Sequence, residues 1–171
     1  GRVLDVLEFL DPGTGEWKSG PSLPVPLCSY AIAADADGLY LFGGWNGHTY
    51  VDSVLYFSVA EGVWRQVATM DMAAGYAAAA VAGDRIHVIG GYDGETEYAT
   101  HVAFDPAAAR RGEHPWQALA PMPEGRAGHA ATALLGHVYV LGGGWQRPLD
   151  DNARYDVAAD SWSTLPSPFA G

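Results

Sequence analysis

The 171-residue sequence predicts an all-β fold in which units of four short strands repeat around a common axis. Tryptophans at 17, 64 and 116 each stand 26 residues before a Gly-Gly pair, and the pairs begin at 43, 90 and 142. The stretch before each pair is apolar on both faces of an extended strand, so each sheet needs a neighbour on both sides. Radial stacking of the units provides these neighbours, and we therefore predict a β-propeller.

Four strands fit within each complete unit. In the first unit, Ser29–Ala34 and Leu39–Phe42 flank a turn at Asp35-Ala-Asp-Gly38, which has the residues typical of turns. Within Leu39–Phe42 the leucines face one side and the aromatic residues face the other, so both sides are expected to be buried. Ser53–Phe57 and Val63–Ala68 supply the third and fourth strands.

The other units repeat this order. The second complete unit has the strands Ala77–Val81, Ile86–Ile89, Tyr98–Phe104 and Trp116–Leu119, with an enlarged loop at Pro106–Pro115. The third has His129–Leu134, Val138–Leu141, Ala153–Asp156 and Ser161–Thr164. Residues 1–20 supply only a third strand, Val3–Phe9, and a fourth strand that begins at Trp17. We place a half unit at 1–27 and complete units at 28–72, 73–124 and 125–171.

These repeated residues resemble the Kelch-repeat family. An aromatic residue stands near the end of the third strand and a tryptophan opens the fourth, as in Tyr155-Asp-Val-Ala-Ala-Asp-Ser-Trp162, and Gly90-Gly-Tyr-Asp-Gly94 is close to the family's Gly-Gly motif. The resemblance covers essentially the whole chain and implies a closed ring of six or seven blades. Three and a half blades leave two apolar flanks, so we expect a segment of a longer ring, or a protomer that closes with a partner.

The resemblance also implies a ligand-binding face. It is built from the loop after each Gly-Gly pair and the loop that leads into each first strand. By position, the candidates are Trp45, Asn46, Tyr92, Asp93, Trp145, Gln146 and Arg126, together with His129 near the central channel. Aromatic rings with polar neighbours suit protein hot spots and also the faces of sugars. The alternative is that these aromatic side chains simply pack on the neighbouring blade.

The composition of the chain limits the classes of partner that we expect. The net charge is −11 and Lys18 is the only lysine, which disfavours nucleic acid and anionic membranes. Kelch proteins that capture acidic peptides use several arginines on this face, whereas only Arg126 and Arg147 are candidates here. A neutral or cationic ligand is therefore expected. The single cysteine leaves the cellular compartment open.

Catalytic and metal sites are not indicated. Cys28 invites comparison with the copper radical oxidases of this propeller type, but no matching histidine pair accompanies it. His87 occupies the position of Tyr40 and Tyr139, and His101 lies in a third strand, so both are expected in the core. No histidine or cysteine spacing typical of zinc is present, and we predict neither metal nor cofactor.

We therefore expect a non-catalytic Kelch propeller segment that binds a protein or another ligand through these loops. The alternative is a carbohydrate-binding or carbohydrate-modifying propeller similar to the Kelch-type sialic acid mutarotases. In that case Arg126 and His129 would belong to a polar pocket at the mouth of the channel.

Overall fold

The structure, a computed structural model, describes residues 2–145 and 147–166. Over these residues it has one sheet of two strands and three sheets of four, all antiparallel. The half blade pairs β1 (Glu8–Asp11) with β2 (Glu16–Ser19). Blade 1 contains β3 (Ala31–Ala34), β4 (Gly38–Phe42), β5 (Ser53–Ser58) and β6 (Val63–Thr69).

Two further blades follow in chain order. Blade 2 contains β7 (Ala78–Ala82), β8 (Arg85–Ile89), β9 (His101–Phe104) and β10 (Trp116–Ala118). Blade 3 contains β11 (Ala130–Leu134), β12 (His137–Leu141), β13 (Asn152–Asp156) and β14 (Ser161–Leu165). Each strand pairs with its neighbours in sequence, and the first strands β3, β7 and β11 lie next to one another. The predicted fold class is thus confirmed: three complete four-stranded blades and half of another.

Successive blades bury opposite sides of the same strand. Tyr40 and Phe42 of β4 pack with Ile86 and Phe104 of blade 2. Leu41, on the other side of β4, packs against the leucines of the half-blade connection, Leu23 and Leu27, and against Leu55. Burying each such side chain contributes on the order of 1.5–3 kcal/mol, so the alternation predicted from the sequence holds the blades together.

The enlarged loop of blade 2 contains a short helix that the sequence analysis missed. Helix α1 spans Pro106–Arg110, and the carboxylate of Asp105 accepts a hydrogen bond from the backbone N–H of Ala108 at 2.9 Å. An aspartate cap, a proline in the first turn and three alanines favour such a helix. The strand starts that differ most from the prediction are those of β1, which begins at Glu8 rather than Val3, and β9, which begins at His101 rather than Tyr98.

A tryptophan ties each blade to the preceding one. The indole N–H groups of Trp64, Trp116 and Trp162 donate to the carbonyl oxygens of Pro21, Thr69 and Ala120, at 3.1, 2.7 and 2.8 Å. Each acceptor follows or ends the fourth strand of the preceding blade. Trp17 holds the same position in the half blade and is 68% exposed.

The tryptophans provide a matched test of this packing. Trp116→Ala removes contacts with Phe42 and Phe104 as well as the hydrogen bond to Thr69, and we expect it to lower the free energy of unfolding by about 3 kcal/mol. Trp17→Ala should cost less than about 1 kcal/mol. Urea denaturation of the 171-residue chain measures both, and equal losses would contradict the inter-blade role of Trp116.

Candidate functional site

The two sets of loops meet at one end of each blade. We call the loops after the Gly-Gly pairs hinge loops and those leading into the first strands lead-in loops. In blade 1, Trp45 and Cys28 exchange backbone hydrogen bonds of 2.8 and 3.0 Å. In blade 2, Tyr92 and Gly75 do the same at 2.8 and 2.9 Å. Two backbone hydrogen bonds therefore hold the start of each of these hinge loops against the lead-in loop of the same blade.

The lead-in loops are themselves linked from blade to blade. Ser29, Tyr76 and Gly128 occupy equivalent positions and have left-handed φ values of 57°, 58° and 67°. The N–H of Tyr76 donates to the carbonyl of Ser29 at 2.7 Å, and that of Gly128 donates to the carbonyl of Tyr76 at 2.8 Å. A tyrosine in this region is unusual, because a side chain there is strained. Here the hydrogen bonds that link the lead-in loops of the three blades hold Tyr76 in this strained conformation.

The Gly-Gly pairs join each hinge loop to the next blade. The N–H of Gly44 donates to the carbonyl of Ala74 at 2.8 Å, and that of Gly91 to the carbonyl of Arg126 at 3.0 Å. Gly90 has a φ of 66°, and a Cβ there would lie 2.4 Å from the carbonyl oxygen of Arg126. Only glycine allows so close an approach.

Five aromatic side chains form a continuous series across the three blades, which we call the aromatic row. Ring centroids are 4.9 Å apart for Trp45 and Tyr50, 6.1 Å for Tyr50 and Tyr92, and 6.3 Å for Tyr92 and Trp145. Tyr76 packs on Trp145 at 5.1 Å. Trp145 is 59% exposed, and the other four are partly buried. The row thus combines mutual packing with accessible ring surface.

A carboxylate of blade 2 positions the Trp145 end of the row. Oε1 of Glu97 accepts hydrogen bonds from the backbone N–H groups of Trp145, at 2.5 Å, and Ala127, at 3.2 Å. One side chain therefore holds the hinge loop and the lead-in loop of blade 3 together. Charge-assisted hydrogen bonds of this kind are stronger than neutral ones.

Asn46 and Asp93 shape their own hinge loops. The side-chain oxygen of Asn46 accepts from the N–H groups of His48 and Thr49, both at 2.9 Å. Asp93 accepts in the same way from Glu95 and Thr96, and also from the hydroxyl of Tyr98 at 2.5 Å. That hydroxyl, followed by the backbone N–H groups, lowers the pKa of Asp93 to about 2. Through these hydrogen bonds, Asn46 and Asp93 stabilise the hinge loops that carry Trp45 and Tyr92.

Arg126 and His129 lie inside the protein. Arg126, 0% exposed, donates to the carbonyls of Gly142 and Asp151 at 3.1 and 3.3 Å and forms an ion pair with the Asp151 carboxylate at 3.2 Å. His129 is also buried, and burial together with the charge of Arg126 lowers its pKa to about 4. We expected both residues at a ligand-accessible surface, whereas the structure buries them between the loops. Gln146 lies outside the described residues.

Sequence reasoning missed Tyr50 and Glu97 and did not select Tyr76. Tyr50 and Glu97 occupy the same position, seven residues after the first glycine of their pairs. Each forms an isolated antiparallel bridge back to its hinge loop, Tyr50 to Trp45 and Glu97 to Tyr92. The shared spacing from the Gly-Gly pair is the sequence signal that could have identified Tyr50 and Glu97.

The face is acidic. Within residues 43–52, 70–77, 90–100, 121–129 and 142–151 there are eight carboxylates and two arginines. Both arginines are paired: Arg126 with Asp151, and Arg147 with Glu124 at 2.7 Å. The described part of this face therefore carries an excess of negative charge, and neither arginine is left without a carboxylate partner.

The described residues contain no group of three or more His, Cys, Asp or Glu side chains that could hold a metal ion. Cys28 is a free, half-buried thiol whose backbone pairs with Trp45. Within the same residues no helix is long and apolar enough to cross a membrane.

His87 and His101 form a buried pair between blades 2 and 3. Nδ1 of His87 lies 2.8 Å from Nε2 of His101, and Tyr155 and Trp162 pack around them. Burial lowers the pKa of both, that of His101 to about 4 with a further contribution from His87. The expectation that both are core residues agrees with their 3% and 2% exposure.

These histidines predict acid sensitivity. A histidine whose pKa is lower in the folded protein binds more protons when unfolded, so stability falls as the pH drops below about 6.5. With His101 and His129 at about 4, we expect the free energy of unfolding to fall by at least about 2 kcal/mol between pH 7 and pH 5. Carboxylates with lowered pKa values change the free energy of unfolding only near pH 4 and below.

Urea denaturation at a series of pH values measures this effect. His129→Ala places at this position the residue that blade 2 has at Ala77, and it should flatten the pH dependence. A wild-type stability that is constant from pH 7 to pH 5, or an unchanged slope in the variant, would contradict the assignment.

The fold and its repeated hinge loops define a β-propeller built of four-stranded blades. The family model described as the KLHDC2/KLHL20/DRC7 Kelch-repeats domain matches residues 1–169. The chain belongs to the Kelch-repeat family.

Relatives agree with this membership. Kelch-like protein 35 of Mus musculus is 28% identical over 95% of this chain and 28% of its own length. An N-(sulfonatooxy)prop-2-enimidothioate sulfolyase of Thlaspi arvense is 29% identical over 90% of this chain and 49% of its own. The solved structure of YjhT has a TM-score of 0.78 at 14% identity, over 94% of this chain and 52% of that one, which shows the fold alone. The chain thus spans less than half the length of Kelch-like protein 35 and of the sulfolyase.

Proposed function

We propose that this Kelch domain is a non-catalytic binding module whose partner contacts the aromatic row. The observation that carries the proposal is the continuity of the row: rings from three blades touch one another on a single face. Aromatic residues held rigidly in place, with part of their surface accessible, are the usual anchors of protein interfaces.

The preferred partner is a neutral or basic segment of a protein. Carboxylates outnumber arginines on the face, and Arg126 and Arg147 are already paired. A lysine or arginine of the partner could lie over the rings of Trp45 or Trp145, where cation–π attraction contributes about 0.5–1 kcal/mol at exposed sites. The buried Arg126 provides no group for an acidic partner.

A peptide array tests this preference. Peptides of equal length and hydrophobicity but opposite charge are applied to the domain, and captured peptides are then titrated by calorimetry. We expect saturable binding to basic or neutral peptides that weakens with added salt. Preferential capture of acidic peptides would contradict the charge argument.

The second candidate is carbohydrate binding or modification. It is favoured by the exposed indole of Trp145, because sugars stack on such rings and hydrogen-bond at their edges. A glycan array run on the same protein separates the two candidates. Saturable binding of a sugar that Trp45→Ala or Trp145→Ala abolishes would replace the protein-binding proposal.

A further inference from the structure

A cleft of about 570 Å³ lies between blades 2 and 3. Its rim is formed by the β7–β8 turn at Gly83 and the β11–β12 turn at Gly136. Because strands β7 and β8 are antiparallel, the β7–β8 turn lies at the opposite end of blade 2 from its hinge loop and the aromatic row. The cleft is therefore separate from the proposed partner face.

The equivalent space between blades 1 and 2 is partly filled by side chains. There Tyr40 occupies the position that His87 occupies in blade 2, and its hydroxyl donates to Asp35 at 3.2 Å. Arg110, from helix α1, forms an ion pair with Asp35 at 2.6 Å and donates to the hydroxyl of Tyr40. Blade 3 has only the short turn 157–160 in place of this helix. The cleft is open because His87 is smaller than Tyr40 and because blade 3 has a short turn where blade 2 has helix α1.

The tautomers of the histidine pair follow from their partners. The carbonyl of Ala120 can only accept, so Nδ1 of His101, 3.2 Å away, carries a proton. Nε2 of His101 is then an acceptor, and Nδ1 of His87 donates to it. The lone pair of His87 must therefore be on Nε2.

This lone pair is available at the cleft. His87 lines the cleft and is 3% exposed, and Nε2 has no hydrogen-bond partner among the described residues. Burial keeps the pKa of His87 below its usual value, so the ring is a neutral acceptor at pH 7.

We propose that this cleft binds a small, largely apolar molecule that donates one hydrogen bond, from a hydroxyl or N–H group, to Nε2 of His87. Aliphatic side chains such as Ala103, Leu119 and Leu134 line the cleft, together with the polar residues Asp84, Arg85 and Gln117. The volume lies within the roughly 300–1,000 Å³ typical of small-molecule sites. A donor from the ligand satisfies an acceptor that is otherwise nearly removed from water.

Phenol and anisole form a matched pair of probes, because they share the ring and its oxygen but the methyl group of anisole replaces the hydrogen-bond donor. Histidine labelled with ¹⁵N reports on Nε2 of His87 during each titration. We expect phenol to shift this signal saturably and anisole to bind about tenfold more weakly, the usual difference for one hydrogen bond. Equal affinities, or no shift of Nε2 up to the solubility limit of phenol, would overturn the proposal.

Two variants complete the test. His87→Tyr introduces the residue that blades 1 and 3 have at this position, and it should abolish phenol binding. Leu134→Trp, at a wall position that is 58% exposed, should block the cleft without touching the histidine pair. Circular dichroism confirms folding, and the second variant decides the question if the first does not fold. Phenol binding that survives in a folded variant would show that phenol binds elsewhere.

Discussion

Gly90→Ala is expected to lower the free energy of unfolding by about 4 kcal/mol. The φ of 66° alone costs an alanine about 1–2 kcal/mol, because the left-handed conformation places Cβ too near the following carbonyl. The new Cβ would also lie 2.4 Å from the carbonyl oxygen of Arg126, so blades 2 and 3 must separate. Overpacking of this kind typically costs a further 1–3 kcal/mol. Urea denaturation of the 171-residue chain measures the sum.

Gly142→Ala is the matched control in blade 3. Gly142 is the first glycine of its pair and has a φ of 63°, but a Cβ there would meet no atom within 4 Å. We expect a loss of only about 1–2 kcal/mol, that of the backbone conformation alone. Equal losses in the two variants would show that the Gly-Gly pair does not set the contact between blades. In a longer protein whose next blade packs on blade 3, the two losses should become equal.

Tyr92→Ala is expected to weaken partner binding by at least about 30-fold, which corresponds to a hot-spot loss of about 2 kcal/mol. Tyr92 lies in the middle of the aromatic row, between Tyr50 and Trp145. Its backbone hydrogen bonds with Gly75 do not depend on the side chain, so the hinge loop should remain in place. Calorimetry with a peptide captured by the array measures the affinity, and a melting curve confirms the fold.

Leu135→Ala serves as the control for this variant. Leu135 is 87% exposed, but it lies in the β11–β12 turn at the opposite end of blade 3. Its variant should bind the same peptide as tightly as the wild type. A folded Tyr92→Ala protein with unchanged affinity would remove the aromatic row from the binding face.

The sequence predicted the blades because their signals are local. Gly-Gly pairs and tryptophans recur at fixed spacing, and the alternation within β4 alone indicated two buried sides. Helix α1 was missed although its signals are also local, because the repeat led us to treat the extra residues as a loop. The sequence therefore determines strand order more clearly than the structure of insertions.

The site was harder to predict because its contacts join different blades. Glu97 supports Trp145 from 48 positions away, and Arg126 is buried by Asp151 and Gly142 rather than by its own loop. Such contacts depend on how one blade sits against the next, which a repeat alignment does not report. His87 and His101 were placed separately in the core, but their direct contact depends on the register of β8 with β9.

The six tryptophan indoles provide the most direct test of the aromatic row as the binding face. Trp45 and Trp145 belong to the row, Trp64, Trp116 and Trp162 donate to backbone carbonyls between blades, and Trp17 lies on the half blade. A ¹⁵N–¹H spectrum recorded during titration with a captured peptide resolves each indole N–H. We predict shifts at Trp45 and Trp145 alone. Shifts confined to Trp17 or to the three inter-blade indoles would contradict the account.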